Sequence, residues 1–138
     1  MEAQEFEKKM KHLEFIQGVI TRMNSNSFSM KGWMITIVAA FLAVFAAGDD
    51  KNELYLLVAI IPTLLFWLLD SYYLQLEKKY RHLFNDVKKD AKAEFDMDAN
   101  SYDVCYCGVL FSKTEWPLYL ILIVILLVGG ILGLIGIY

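Results

Sequence analysis

Charge is missing from three long stretches of this 138-residue chain: 32–48 (GWMITIVAAFLAVFAAG), 54–69 (LYLLVAIIPTLLFWLL) and 116–138 (WPLYLILIVILLVGGILGLIGIY). One such stretch could be the core of a soluble domain. Three, in a chain that is 57% apolar and 21% charged, leave too little polar surface to cover them, which excludes an ordinary soluble fold. Cysteine is also scarce. Cys105 and Cys107, one residue apart, are too few for a disulfide framework and poorly placed for an intrachain bridge. Histidine occurs only at 12 and 82, and the two-residue cysteine gap of zinc knuckles is lacking, so neither metal nor cofactor is expected. A basic start followed by an apolar run is absent from the first 30 residues, so they do not read as a signal peptide. There is no Walker-type loop, no Gly-x-Ser-x-Gly and no His-Glu-x-x-His, and no nucleophile spaced to pair with a histidine, so enzymatic activity is not expected.

What is present reads as an all-α integral membrane protein with three transmembrane helices, forming a single membrane domain over 1–138. A bilayer core of about 30 Å takes roughly 20 apolar residues. The expected spans are 30–48, 54–76 and 116–138. The Lys/Arg distribution sets their orientation. Lys8, Lys9, Lys11, Arg22 and Lys31 precede the first span, Lys51 alone lies in the first link, and Lys78, Lys79, Arg81, Lys88, Lys89, Lys92 and Lys113 follow the second. The N-terminus and 77–115 of this multi-pass chain are therefore expected on the cytoplasmic side.

The parts outside the spans have their own periodicity. Phe6, Met10, Leu13, Ile16, Ile20 and Met23 recur at helical intervals, predicting an amphipathic N-terminal helix that packs within the protein rather than on lipid. Residues 22–31 (RMNSNSFSMK) are rich in side chains that compete for backbone hydrogen bonds, which predicts a capped bend between that helix and the first span. Asn24, Asn26 and Ser27 there are alternatively candidates for a polar gate. Phe66, Leu69, Tyr73, Leu76, Tyr80, Leu83 and Val87 step by three and four, predicting a second helix that continues into the cytoplasm to about residue 93. Pro62 is expected to kink it. Residues 94–113 are acidic and then β-favouring, compatible with a short hairpin or an irregular loop. Residues 112–115 (SKTE) resemble a capping box opening the third span, and Pro117 suits an early helical turn.

Candidate functional residues follow from charge and size. Thr63 and Asp70 lie seven apart on one face of the second span, so they are pore-lining candidates. In an oligomer a ring of Asp70 carboxylates would favour cations, while an interfacial carboxylate in headgroup water is the alternative. Lys78, Lys79, Arg81, Lys88, Lys89 and Lys92 outnumber nearby acids. Repeated around an oligomer they could bind phosphates of a nucleotide or oligonucleotide. Juxtamembrane bases also simply face anionic lipid. Ala39, Ala43 and Ala47, and Gly129 and Gly133, place small residues four apart, allowing close helix approach and self-association.

Two segments, 14–33 (EFIQGVITRMNSNSFSMKGW) and 66–87 (FWLLDSYYLQLEKKYRHLFNDV), each joined to its neighbouring span, resemble a family of small bacterial membrane proteins encoded beside nucleotidyltransferase-like proteins. The family is that of the membrane effectors of Hailong-type anti-phage defence. The resemblance covers roughly the first two-thirds of the chain. It implies a homotetrameric channel-like effector, held inactive by single-stranded DNA oligomers that the partner nucleotidyltransferase makes. Loss of that ligand would release the channel and depolarise the membrane. The expectation is thus a homo-oligomeric ion channel gated from the cytoplasmic side. The competing expectations are a non-conducting anchor that recruits a soluble partner through the seam at 76–87, and a holin-like toxin that needs no ligand.

Overall fold

A computed structural model describes residues 2–48, 53–90 and 95–135. Among them there are five helices and no strand: α1 (Glu2–Ala47), α2 (Leu54–Val58), α3 (Ile60–Lys88), α4 (Tyr106–Leu110) and α5 (Trp116–Leu134). Three rods, Ala3–Ala47, Leu54–Lys88 and Trp116–Leu134, are long and apolar enough to cross a membrane. Their apolar side chains point mostly outward. Trp33, Leu65, Ile121 and Ile125 are each more than half exposed, while Thr63, Asp70 and Ser71 are fully buried. This inversion of the soluble pattern suits a chain whose outer surface faces lipid or further apolar helices.

The helices pack through two apolar clusters. One gathers Met34 and Val38 of α1, Leu56 of α2, the joint residue Ala59, and Tyr119 and Leu126 of α5. The other gathers Ile16 and Ile20 of α1 with Leu83 and Val87 of α3 and Ala99 of the following loop. Residue numbers rise from the second cluster to the first along α1 and fall along α3, so the two helices run antiparallel. The N-terminal half of α1 thus packs inside the protein, as its stripe predicts, although Phe6 and Met10 at its tip stay exposed. Most of the α3 seam also turns inward; Leu69 is the exception, at 48% exposure.

The bend expected over 22–31 does not form. α1 continues through it for 46 residues. Its polar side chains find partners that leave the helix intact: Ser29 Oγ donates to the carbonyl of Ser25 four residues back at 2.9 Å, and Ser27 donates across to α3. Local propensity is a weak prior that tertiary bonds override. Pro62 has no N–H to offer the carbonyl of Val58, and its ring crowds that carbonyl; the regular helix breaks between α2 and α3 at Ala59, whose backbone stays in the helical region. Thr63 Oγ1 donates to the Ala59 carbonyl at 2.8 Å beside this joint.

α3 ends at Lys88, short of the expected residue 93, which itself lies outside the described residues. Asp90 turns the chain with a φ of 57°. The following segment is an irregular loop with one helical turn, α4, and no hairpin among the described residues. Its acids build turns: Asp96 Oδ1 accepts from Asp98 N, and Asp98 Oδ1 accepts from Asn100 N, both at 2.9 Å. The loop is tied to both long helices. His12 Nε2 meets the Asp96 carbonyl at 2.8 Å, and Gln75 Nε2 donates to the Val104 carbonyl at 2.6 Å. Trp67 Nε1 donates to the Leu110 carbonyl at 3.2 Å, and Tyr106 OH to that of Leu68 at 2.8 Å, which fix α4 against α3. The capping box at 112–115 is absent. The Ser112 hydroxyl has no hydrogen-bond partner, α5 starts without a side-chain cap, and Glu115 is used elsewhere; Pro117 does sit in the first turn.

Candidate functional site

Between the two apolar clusters lies a layer of charge. Lys31 of α1 is at its centre. Its ammonium is 2.5 Å from Asp70 Oδ2 on α3, 3.0 Å from Ser27 Oγ on its own helix, and 3.1 Å from Glu115 Oε1 at the start of α5. An ammonium has three protons, and here each has an acceptor. Asp70 is equally engaged: Oδ1 accepts from Ser27 Oγ, and Oδ2 accepts from Tyr119 OH at 2.8 Å as well as from Lys31. Asp70 is fully buried, Glu115 is 2% exposed and Lys31 keeps 23% of its side chain in contact with solvent.

Helical spacing makes this arrangement possible. Ser27 and Lys31 are four apart on α1, and Glu115 and Tyr119 are four apart across the start of α5, so each pair shares a face. On α3, Thr63, Asp70 and Glu77 follow at sevens and form a buried polar line. Glu77 Oε1 is held by Arg81 Nη2 at 2.7 Å. Desolvating these charges is costly unless each is paired and hydrogen-bonded, and ionisable groups among apolar helices are retained mainly for function. A cleft of about 250 Å³ reaches the layer from outside, lined by Asn24, Ser27, Lys31, Glu77, Thr114 and Glu115.

The pore-lining candidates Thr63 and Asp70 do share a face, but that face is turned into the chain's own interior and both residues are fully buried. In this arrangement Asp70 does not offer a free carboxylate to an ion path. Of the gate candidates, Ser27 is part of the charged layer, Asn24 lines its cleft, and Asn26 is half-buried on α1. The basic candidates are spread along the C-terminal part of α3 and just beyond it. Lys78 and Lys79 are half-buried, Lys88 and Lys89 are exposed at the end of α3, and Lys92 lies outside the described residues. Arg81 borders a second cleft, of about 370 Å³, with Gln17, Ile20, Thr21, Asn24, Ser25 and Phe28. Ala39, Ala43 and Ala47 all face outward. Gly129 and its neighbour Gly130 instead face α2, where Cβ atoms would lie 3.3 Å from Leu56 Cδ1 and 2.8 Å from Leu57 Cδ2. Gly133 is buried on α5.

Two central residues, Lys31 and Glu115, were not singled out by sequence reasoning, though a signal for them exists. Lys31 immediately precedes the first charge-free stretch, Asp70 ends the second and Glu115 precedes the third. Three charged residues at the matching ends of three apolar rods of alternating direction lie at one level, where opposite signs can meet. No group of three or more His, Cys, Asp or Glu side chains capable of holding a metal ion occurs among the described residues. In comparisons with protein families, characterised proteins and solved structures, nothing matches the chain.

Proposed function

We propose that this chain is a homo-oligomeric, tetrameric ion channel of a bacterial inner membrane, gated from the cytoplasmic side, and that the arrangement described here is its closed state. The observation that carries the reading is the Lys31–Asp70–Glu115 layer. It places charge inside an otherwise apolar three-helix unit and latches α1, α3 and α5 together at one level. Three helices alone enclose no water-filled route, so conduction requires several copies. The outward-facing small residues Ala39, Ala43 and Ala47 suit close contact between them. Opening would part Lys31 from Asp70 and turn the carboxylate toward the ion path, where a ring of such groups favours cations.

The trigger belongs to the polar end of α1 and α3. In keeping with the resemblance of 14–33 and 66–87, the proposed ligand is a single-stranded DNA oligomer or nucleotide made by a nucleotidyltransferase-like partner, and the biological role is an effector of anti-phage defence. The anchor reading has less support, because Leu83 and Val87 of the proposed recruiting seam are already covered by Ile16 and Ile20. Ion flux from liposomes tests the proposal. Purified oligomer should conduct, with flux changed by the ligand, and Asp70→Asn should lower cation preference. An oligomer that stays silent with and without candidate ligands, or a protein that is monomeric in lipid, sinks the channel reading. Membrane damage on expression without any ligand would favour the holin-like toxin instead.

A further inference from the structure

The charged layer contains two buried carboxylates, Asp70 and Glu115, but one ammonium, Lys31. Lys31 has spent its three protons on Asp70, Ser27 and Glu115 Oε1. Glu115 Oε2 is buried and has no hydrogen-bond partner. A second full negative charge, 2% exposed and with an unmatched oxygen, is costly in such a place. One more positive charge on that oxygen balances the layer.

We propose that Glu115 is a proton-binding site, and that the proton on it completes the joint between α1, α3 and α5. The neutral carboxyl keeps Oε1 as acceptor for Lys31, while Asp70 remains the ionised partner of that ammonium. The other charged and titratable groups around the site fit this division. From α1 comes Lys31; from α3, Asp70, with Glu77 across the cleft already held by Arg81; from α5, Tyr119, whose hydroxyl donates to Asp70. Burial, then the Asp70 carboxylate, which can accept a hydrogen bond from protonated Glu115 and repels its anion, push the Glu115 carboxyl up to about 7 against the opposing pull of Lys31. Because this value is raised above its ordinary one of 4.5, the stability the proton contributes is fully present below about 4.5 and is lost as pH rises through about 7. Above that range Glu115 becomes a second anion beside Asp70, and α5 is held less firmly. The site is independent of the channel reading, since it needs only the folded protomer.

Infrared spectroscopy of the full chain in lipid nanodiscs, from about pH 5 to about pH 9, tests the assignment. The carbonyl band of a buried, protonated carboxylic acid should be present at the acid end, fade as pH passes neutrality, and be absent from Glu115→Gln at every pH. Glu77→Gln, on the same cleft, should keep it. A band that survives in Glu115→Gln, or no such band in the folded wild-type chain, overturns the proposal. So does a band that appears only after sodium and potassium are replaced by a bulky organic cation, because an alkali ion would then be the occupant. If Glu115→Gln does not fold, Glu115→Asp retains a titratable group one methylene shorter and must shift the midpoint; an unmoved midpoint assigns the band to another residue.

Discussion

Lys31 and Asp70, 39 positions apart in sequence, meet at 2.5 Å with the carboxylate fully buried, and the pair joins α1 to α3 at the edge of the apolar cluster that holds Met34 and Tyr119. Removing one partner of such a pair strands the other. Lys31→Met is expected to destabilise the protomer by about 3–5 kcal/mol. Adding Asp70→Asn in the same chain should recover much of that loss. Unfolding in micelles of the two single variants and the double variant measures the coupling. Simple additivity would mean that the two groups do not depend on each other.

The close approach of α5 to α2 gives a contrast between glycines. A Cβ on Gly130 would lie 2.8 Å from Leu57 Cδ2 and 3.1 Å from its Cγ, so the whole Leu57 side chain must shift. Gly130→Ala should cost about 1–3 kcal/mol. Gly18, inside α1, has nothing within 4 Å of an added Cβ. There the ordinary helical preference applies, and Gly18→Ala should stabilise by about 0.5–1 kcal/mol. Thermal unfolding of both variants in the same detergent tests the sign of each effect.

The proposed self-association through the alanine face can be separated from folding. Ala43 is exposed, so a larger side chain there has room in the protomer. Ala43→Phe should weaken assembly at least about tenfold, about 1.4 kcal/mol, with helix content unchanged. Native mass spectrometry from nanodiscs reads the stoichiometry. An intact oligomer would move the contact to another face.

At the polar end, Tyr102 OH donates to Asp86 Oδ2 at 2.6 Å and the ring stacks on His82. Burial, then the hydrogen bond and charge of Asp86, with a contribution from Asp96, push the phenol up to about 12. A raised value means that this contribution to stability is complete below about 10 and is lost as pH climbs toward about 12. Ultraviolet titration should find a tyrosine that ionises near pH 12 and whose contribution is lost in Tyr102→Phe. Asp86→Asn should bring it back toward the ordinary range.

Much of this architecture is legible along the chain because apolar length and period are robust signals. The three charge-free runs locate the rods. The spacing of Ile16 and Ile20 and of Leu83 and Val87 marks the faces that meet. The errors arise where a polar residue had both a local and a distant use. Ser27 looks like a capping residue but bonds to Asp70. Glu115 completes a capping-box pattern but its carboxylate is drawn to Lys31. The Asn/Ser-rich stretch stays helical: Ser27 and Lys31 find partners in Asp70 and Glu115 that sequence proximity does not reveal, and Ser29 bonds back to Ser25 within the helix. Asp70 is legible as an unusual acid, yet its inward direction depends on Lys31 and Tyr119, which come from other helices.

The uninterrupted course of α1 has a mechanical meaning. Its 46 residues extend about 69 Å at 1.5 Å per residue, with no hinge to absorb a displacement. A displacement near His12 would therefore be carried along one stiff rod past Lys31 to Val38.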